Sequence, residues 1–329
     1  MFREITAGFH AHGYVGEIII LTILCLIPLR SALPAELTEL RIGSSDISLS
    51  NVSTSYARDR GFFRKEGIDP KMVIVKTEAA LAAQSAGELD YTTFSTSTID
   101  AAAKGFPLRL VAVTVTRPAV GLVVQKGIEN FVDLKGKKVG ISSYGGLLHV
   151  AALYALKHYG LNAKDVMILA TGPGSAGVAA LKKGSIDGVF LTAPYDMLMA
   201  REGFRLLSDV GAIYQLPFGG ISASLPKIRE KPGEVERVLR AALQASNHIA
   251  DPKNSEDVME YIARLFKLDR SLAEEFYHRI VTSLSLTGMV EMDKIKLALD
   301  NAVERKVIDK PVDPAMVVDF SIAKRIGQK

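Results

Sequence analysis

Beyond residue 35 the hydrophobic positions fall into short apolar runs alternating with stretches where small apolar residues recur at helical spacing, and the same order of elements occurs twice. Arg41-Ile42-Gly43-Ser44-Ser45 closes a short apolar strand on two serines, and Val139-Gly140-Ile141-Ser142-Ser143 does the same 98 positions later. Each leads into a helix, predicted over about Val52 to Glu66 and Leu147 to Tyr159. Both helices stop at a glycine, in Gly67-Ile68-Asp69 and Gly160-Leu161-Asn162, because glycine tolerates the left-handed conformation that closes a helix. A β-branched or apolar strand follows in both halves, Met72 to Val75 and Val166 to Leu169, then a small-residue helix, Ala79 to Ala86 and Ala176 to Lys183. Gly87-Glu88-Leu89-Asp90 and Gly184-Ser185-Ile186-Asp187 end those helices and open a third strand that finishes on a hydroxyl residue, Ser95 or Thr192.

Strand alternating with helix at this spacing implies right-handed βαβ crossovers, hence two similar α/β lobes, each with a parallel sheet. Open parallel sheets hold ligands beyond the carboxyl ends of their strands. The residues there are hydroxylic: Ser44, Ser45, Ser95 and Thr96 in one half, Ser142, Ser143, Tyr144 and Thr192 in the other. Each could equally be a helix cap, but capping and anion binding at a helix start are compatible. A further apolar segment, Gly220 to Leu225, precedes a chain expected to be helical to its end, over about 232 to 249, 255 to 266, 270 to 283, 291 to 304 and 313 to 325. The economical arrangement pairs Val120 to Gln125 with Gly220 to Leu225 beside a two-strand hinge. Lobe 1 is then 36–118 with 226–329, and lobe 2 is 119–225. Two crossings make a hinged clamp.

The stretch before residue 36 has a different character. Ile18 to Leu29 is apolar apart from Thr22, and as a helix would reach about 18 Å against a hydrocarbon core of about 30 Å, so it fits a secretory signal better than a membrane span. Small residues follow, and cleavage is expected near Ala35. Cys25, the chain's one cysteine, falls inside this run, so thiolate catalysis, cysteine zinc sites and iron-sulfur clusters are excluded from the remainder. His149, His158, His248 and His278 have no metal-ligand spacing. The 40 basic and 36 acidic residues are scattered, and a net charge of +4 without a basic stripe sets nucleic acid aside. Gly172-Pro173-Gly174-Ser175-Ala176-Gly177 matches a dinucleotide fingerprint, yet the following strand ends at Thr192 without the acidic residue that would hold a ribose; the run reads better as a tight strand-to-helix turn near the cleft. Gly140-Ile141-Ser142-Ser143-Tyr144 lacks the second glycine of a hydrolase elbow.

Tyr56-Ala57-Arg58-Asp59-Arg60-Gly61-Phe62-Phe63-Arg64-Lys65-Glu66-Gly67-Ile68, Ala86-Gly87-Glu88-Leu89-Asp90 and Asp133-Leu134-Lys135-Gly136-Lys137-Lys138-Val139-Gly140 occur in an order and spacing that resemble the solute-binding proteins of nitrate, sulfonate and taurine type ABC importers, a group that includes thiamine-pyrimidine precursor binders. The resemblance implies a type II periplasmic-binding fold, α/β, with two parallel-sheet lobes, a two-strand hinge and a helical C-terminal region. It implies a periplasmic monomer that closes on a small, anionic organic solute and delivers it to a permease with its ATPase, with no cofactor, no metal and no catalysis. Carried over by position, the ligand contacts fall at Ser45, Ser50 and Asn51, at Ser95 and Thr96, and at Ser142, Ser143, Gly145, Gly146 and Thr192, with Tyr144 and Tyr195 flanking the solute. No arginine matches a dedicated sulfonate clamp, Arg117 being the nearest candidate. The synthase branch of the same superfamily uses a cysteine-rich motif that residues 36–329 lack. An enzyme acting on a pyrimidine or small organic acid, and an extracytoplasmic sensor module, stay open as alternatives.

Overall fold

The computed structural model describes residues 36–213 and 216–327. Residues 1–35, read above as a signal peptide, lie outside them. Among the described residues no helix is long and apolar enough to cross a membrane.

Among the described residues ten strands form two five-stranded sheets. The first contains β1 (Thr38–Ser44), β2 (Ile68–Ile74), β3 (Tyr91–Phe94), β4 (Leu108–Val115) and β10 (Gly219–Ser224), in the order β2-β1-β3-β10-β4. The second contains β5 (Val120–Val124), β6 (Lys138–Ile141), β7 (Met167–Ala170), β8 (Gly188–Thr192) and β9 (Arg205–Asp209), in the order β7-β6-β8-β5-β9. The repeat thus becomes two sheets of matching order. In the first, β1 pairs in parallel with β2 and β3, and in the second β6 pairs in parallel with β7 and β8.

Two expectations are corrected. The sheets are mixed, because β10 is antiparallel to β3 and β4 and β5 is antiparallel to β8 and β9. Nor do the two hinge-proximal runs pair with each other. Each is inserted between two strands of its own sheet, one in from the edge, so 219–224, placed with lobe 2 above, lies in the first sheet. The reason is burial: all five residues of β5 and the first five of β10 are buried, which suits a strand flanked on both sides and covered on both faces. The chain therefore passes from the first sheet to the second between β4 and β5, and β10 belongs to the first sheet again.

The helix Pro232–Ala250 packs on the helices Val52–Asp59 and Phe62–Lys65, fixing the C-terminal region to the first sheet. Tyr56, fully buried, donates from its hydroxyl to Asp257 at 3.1 Å, and the Arg60 guanidinium lies over the Tyr56 and Tyr261 rings. The C-terminal region is not helical throughout. Stretches on either side of the helix Met292–Glu304 run along the free edge of β4, where the N–H groups of Leu110, Val113 and Thr116 donate to Val317, Gly288 and Ser283. An edge strand left open would present unpaired donors, and these segments satisfy them.

Candidate functional site

The carboxyl ends of β1, β3, β6 and β8 converge on a small pocket between the two sheets, with a cavity volume of about 30 Å³ and an opening to solvent. Six of the predicted contacts line it: Ser45, Ser50, Ser95, Thr96, Ser142 and Thr192. The loop after β1 brings in two of these residues, and its shape is held by Asn51. The Asn51 amide nitrogen donates to Ser44 Oγ and to the Asp46 carbonyl, each at 2.7 Å, while its oxygen accepts from Ser48 N and Ser55 Oγ. Asn51 is buried and fully engaged, so it positions the loop and does not line the pocket.

The same loop has close backbone contact with β10. A Cβ on Gly219 would stand 1.9 Å from the Ser50 carbonyl oxygen, which no side chain permits. Gly219→Ala is therefore expected to push the loop out of place and cost about 2 kcal/mol in chemical denaturation; stability equal to wild type would mean that loop and strand separate freely.

The remaining predicted contacts sit elsewhere. Ser143 is turned toward Thr77, with the hydroxyls 3.2 Å apart. Gly145 accepts from Ser97 Oγ through its carbonyl at 3.2 Å, and Gly146 precedes the helix Leu147–His158 with Ser143 Oγ against it. Tyr144 is 52% exposed and its hydroxyl donates to the Ile168 carbonyl. Tyr195 packs against Gly174 and edge-on to Phe266, and the absence of a Cβ on Gly174 makes room for its ring. Neither tyrosine lines the pocket. Arg117 donates to the Thr282 carbonyl in a separate depression near the crossings, shared with Pro118, Asp209 and Arg279.

Sequence reasoning missed the apolar wall and the charge. Phe94, Leu147, Leu148 and Phe218 supply the apolar surface. Phe218 is held by its own carbonyl and that of Pro217, which accept from Ser95 Oγ at 2.8 and 2.7 Å. Asp46 supplies the only charge in this wall and is 7% exposed. Burial pushes its carboxyl up to about 6, with the Ser48 hydroxyl, donating to Oδ1 at 3.0 Å, pulling the other way. The anionic solute expected above finds no cationic side chain here; Lys76, exposed, lines an adjoining pocket. Asp46 stands next to Ser45 in a run of serines, and a carboxylate there reads as loop polarity until the fold turns it inward.

The two sheets are linked around the pocket. Besides the Thr77–Ser143 and Ser97–Gly145 contacts, Leu49 N donates to the Ala193 carbonyl at 3.2 Å. Ion pairs join Lys157 to Glu304, Arg201 to Asp269, and Arg279 to Asp196.

Two mixed sheets, each with strand ends on the pocket and joined by two crossings, define the two-lobed fold of periplasmic binding proteins. The structure is similar to the periplasmic aliphatic sulphonate binding protein SsuA from Escherichia coli, with a TM-score of 0.67 at 21% identity over 87% of this chain and 99% of that one. The chain belongs to the NMT1/THI5 like family, matched over residues 52–255. Among its relatives, the 4-amino-5-hydroxymethyl-2-methylpyrimidine phosphate synthase THI5 of Saccharomyces cerevisiae is 30% identical over 245 residues, 68% of this chain and 70% of that protein. The taurine-binding periplasmic protein of Escherichia coli K12 is 29% identical over 153 residues, 45% of this chain and 46% of that protein, so this match spans under half of either.

Proposed function

We propose that this protein is the extracytoplasmic solute-binding component of an ABC importer, a monomer that closes on one small polar organic solute and presents it to a permease. The observation that carries this reading is the pocket at converging strand ends, with hydrogen bonds between the two sides made by residues of its wall. A solute that touches both sides adds its own contacts only in the closed arrangement, and that differential affinity is what shifts a hinge equilibrium. The helices Thr96–Ala103 and Leu147–His158 both start in the pocket wall, so their unpaired N–H groups suit an acidic group on the solute. Phe94 and Phe218 take its apolar part.

The test is a thermal-shift screen of residues 36–329 against taurine, alkanesulfonates, nitrate, amino acids and pyrimidines. A solute at 100 times its Kd adds about 2.7 kcal/mol and raises the midpoint by several degrees. Flat curves across the panel with folded protein would sink the reading. Thr77→Val removes one hydrogen bond between the two sides and is expected to weaken the best solute about fivefold, equal to about 1 kcal/mol, through faster dissociation. Unchanged affinity would show that the Thr77–Ser143 contact does not help hold the clamp shut.

A second reading, catalysis on the same fold, draws on the likeness to the yeast synthase. It predicts turnover of a bound pyrimidine, which mass spectrometry of the same samples would reveal.

A further inference from the structure

Four hydroxyl groups of the pocket wall have already placed their protons. Ser95 donates to the carbonyls of Pro217 and Phe218, and Thr96 donates to Pro217 at 3.1 Å. Ser97 donates to Gly145 across the cleft, and Thr93 donates to Ser44 Oγ at 3.1 Å. Each hydroxyl has a single proton, so what these side chains still offer inward is lone pairs. Asp46 adds a carboxylate whose Oδ1 accepts from Ser48, while no donor among the described residues reaches Oδ2. Directly independent of this, Thr192, 3% exposed and in the same wall, has a buried hydroxyl oxygen with no partner among the described residues. An unpaired buried polar atom is costly, and at a binding site it marks where a ligand atom completes the set.

An acceptor-rich wall with one carboxylate and no cation is complementary to a donor-rich positive group. We infer that the solute carries a protonated nitrogen, an ammonium or an amidinium-type group, which pairs with Asp46 and completes the hydrogen bonding of the pocket, Thr192 included. This rests on the solute-binding reading above and adds the chemistry at one end of the solute. A solute bearing an acid at its other end would use the two helix starts, making small zwitterions the best match.

The test compares matched pairs that differ only at nitrogen: taurine against isethionate, β-alanine against 3-hydroxypropionate, and 4-amino-5-hydroxymethyl-2-methylpyrimidine against its 4-hydroxy analogue, by calorimetry on residues 36–329 at pH 7.5. At least one amine is expected to bind, roughly tenfold or more tighter than its oxygen counterpart, the worth of a charge-assisted hydrogen bond. Asp46→Asn should remove most of that preference. Equal or tighter binding of the oxygen members overturns the proposal and leaves the solute-binding reading intact. Binding of neither member of any pair, with nitrate or a plain alkanesulfonate bound instead, also overturns the proposal alone. No binding by any compound overturns both. The pairwise comparison uses the unaltered protein, so a poorly folding variant does not affect it.

Discussion

Arg279→Met is expected to lower stability by about 3 kcal/mol at pH 7.5, because it leaves the Asp196 carboxylate buried without its cation. The Asp196 side chain is 2% exposed and that of Arg279 is 29% exposed, at 3.1 Å. Burial already pushes the Asp196 carboxyl up to about 6 against the pull of Arg279 and of the Met197 N–H. Without the arginine it must either stay charged in an apolar setting or take a proton, and both lower the free energy of unfolding. The cost should shrink at pH 5, where the carboxyl is already largely protonated in the folded protein. Asp196→Asn on the Arg279→Met background should restore most of the loss, since the amide oxygen still accepts from Met197. Urea denaturation of the four-member cycle checks this. A single variant within 0.5 kcal/mol of wild type would mean that the pair is solvated after all. Asp196 begins the helix Tyr195–Arg201 on the second sheet and Arg279 ends the helix Arg270–Val281 of the C-terminal region, so the loss should also loosen the join between them.

Asp46→Asn is expected to act in the opposite direction. The folded-state pKa of Asp46 is raised from the ordinary 3.8 to about 6, so the folded protein binds more protons than the unfolded chain between those values. Its contribution to stability is therefore full below about pH 4 and falls as pH rises through about 6, on the order of 3 kcal/mol in total. An asparagine keeps the acceptor for Ser48 and has no charge to desolvate. The variant and wild type should melt together near pH 4, while at pH 7.5 the unliganded variant should melt about 5 °C or more higher. A lower midpoint at pH 7.5 would mean that the carboxylate has a structural partner. A residue that destabilises the empty fold and improves when removed is what a binding group looks like in a stability assay.

The internal repeat made the architecture legible because its signals are local: a serine pair ending a strand, a glycine ending a helix, an acidic residue opening the next strand. Those signals set the strand ends, and five of the hydroxyl residues placed there, Ser45, Ser95, Thr96, Ser142 and Thr192, do line the pocket. What could not be read depends on partners distant in the chain. Val120–Val124 and Gly219–Ser224 are apolar runs of similar length, and nothing local says that each is flanked by strands of its own sheet. Tyr144 and Tyr195 follow the pocket-lining Ser142 and Thr192 within three positions, yet one reaches the Ile168 carbonyl and the other fills the space over Gly174. Phe218 reaches the pocket only because the chain returns to the first sheet there, and Ser95 then fixes it through two carbonyls.

The position of β10 also sets an order of assembly. The strands of the second sheet are contiguous, from Val120 to Asp209, and can pair as soon as they are made. The first sheet cannot close then, because β3 and β4 are not neighbours and the strand between them is encoded after the whole of the second sheet. The half of the molecule that begins the chain is thus the half completed last, and until residue 224 emerges β3 and β4 each have a bare edge, the state most open to mispairing with another copy. A delay between synthesis and closure of that first sheet is built into the connectivity.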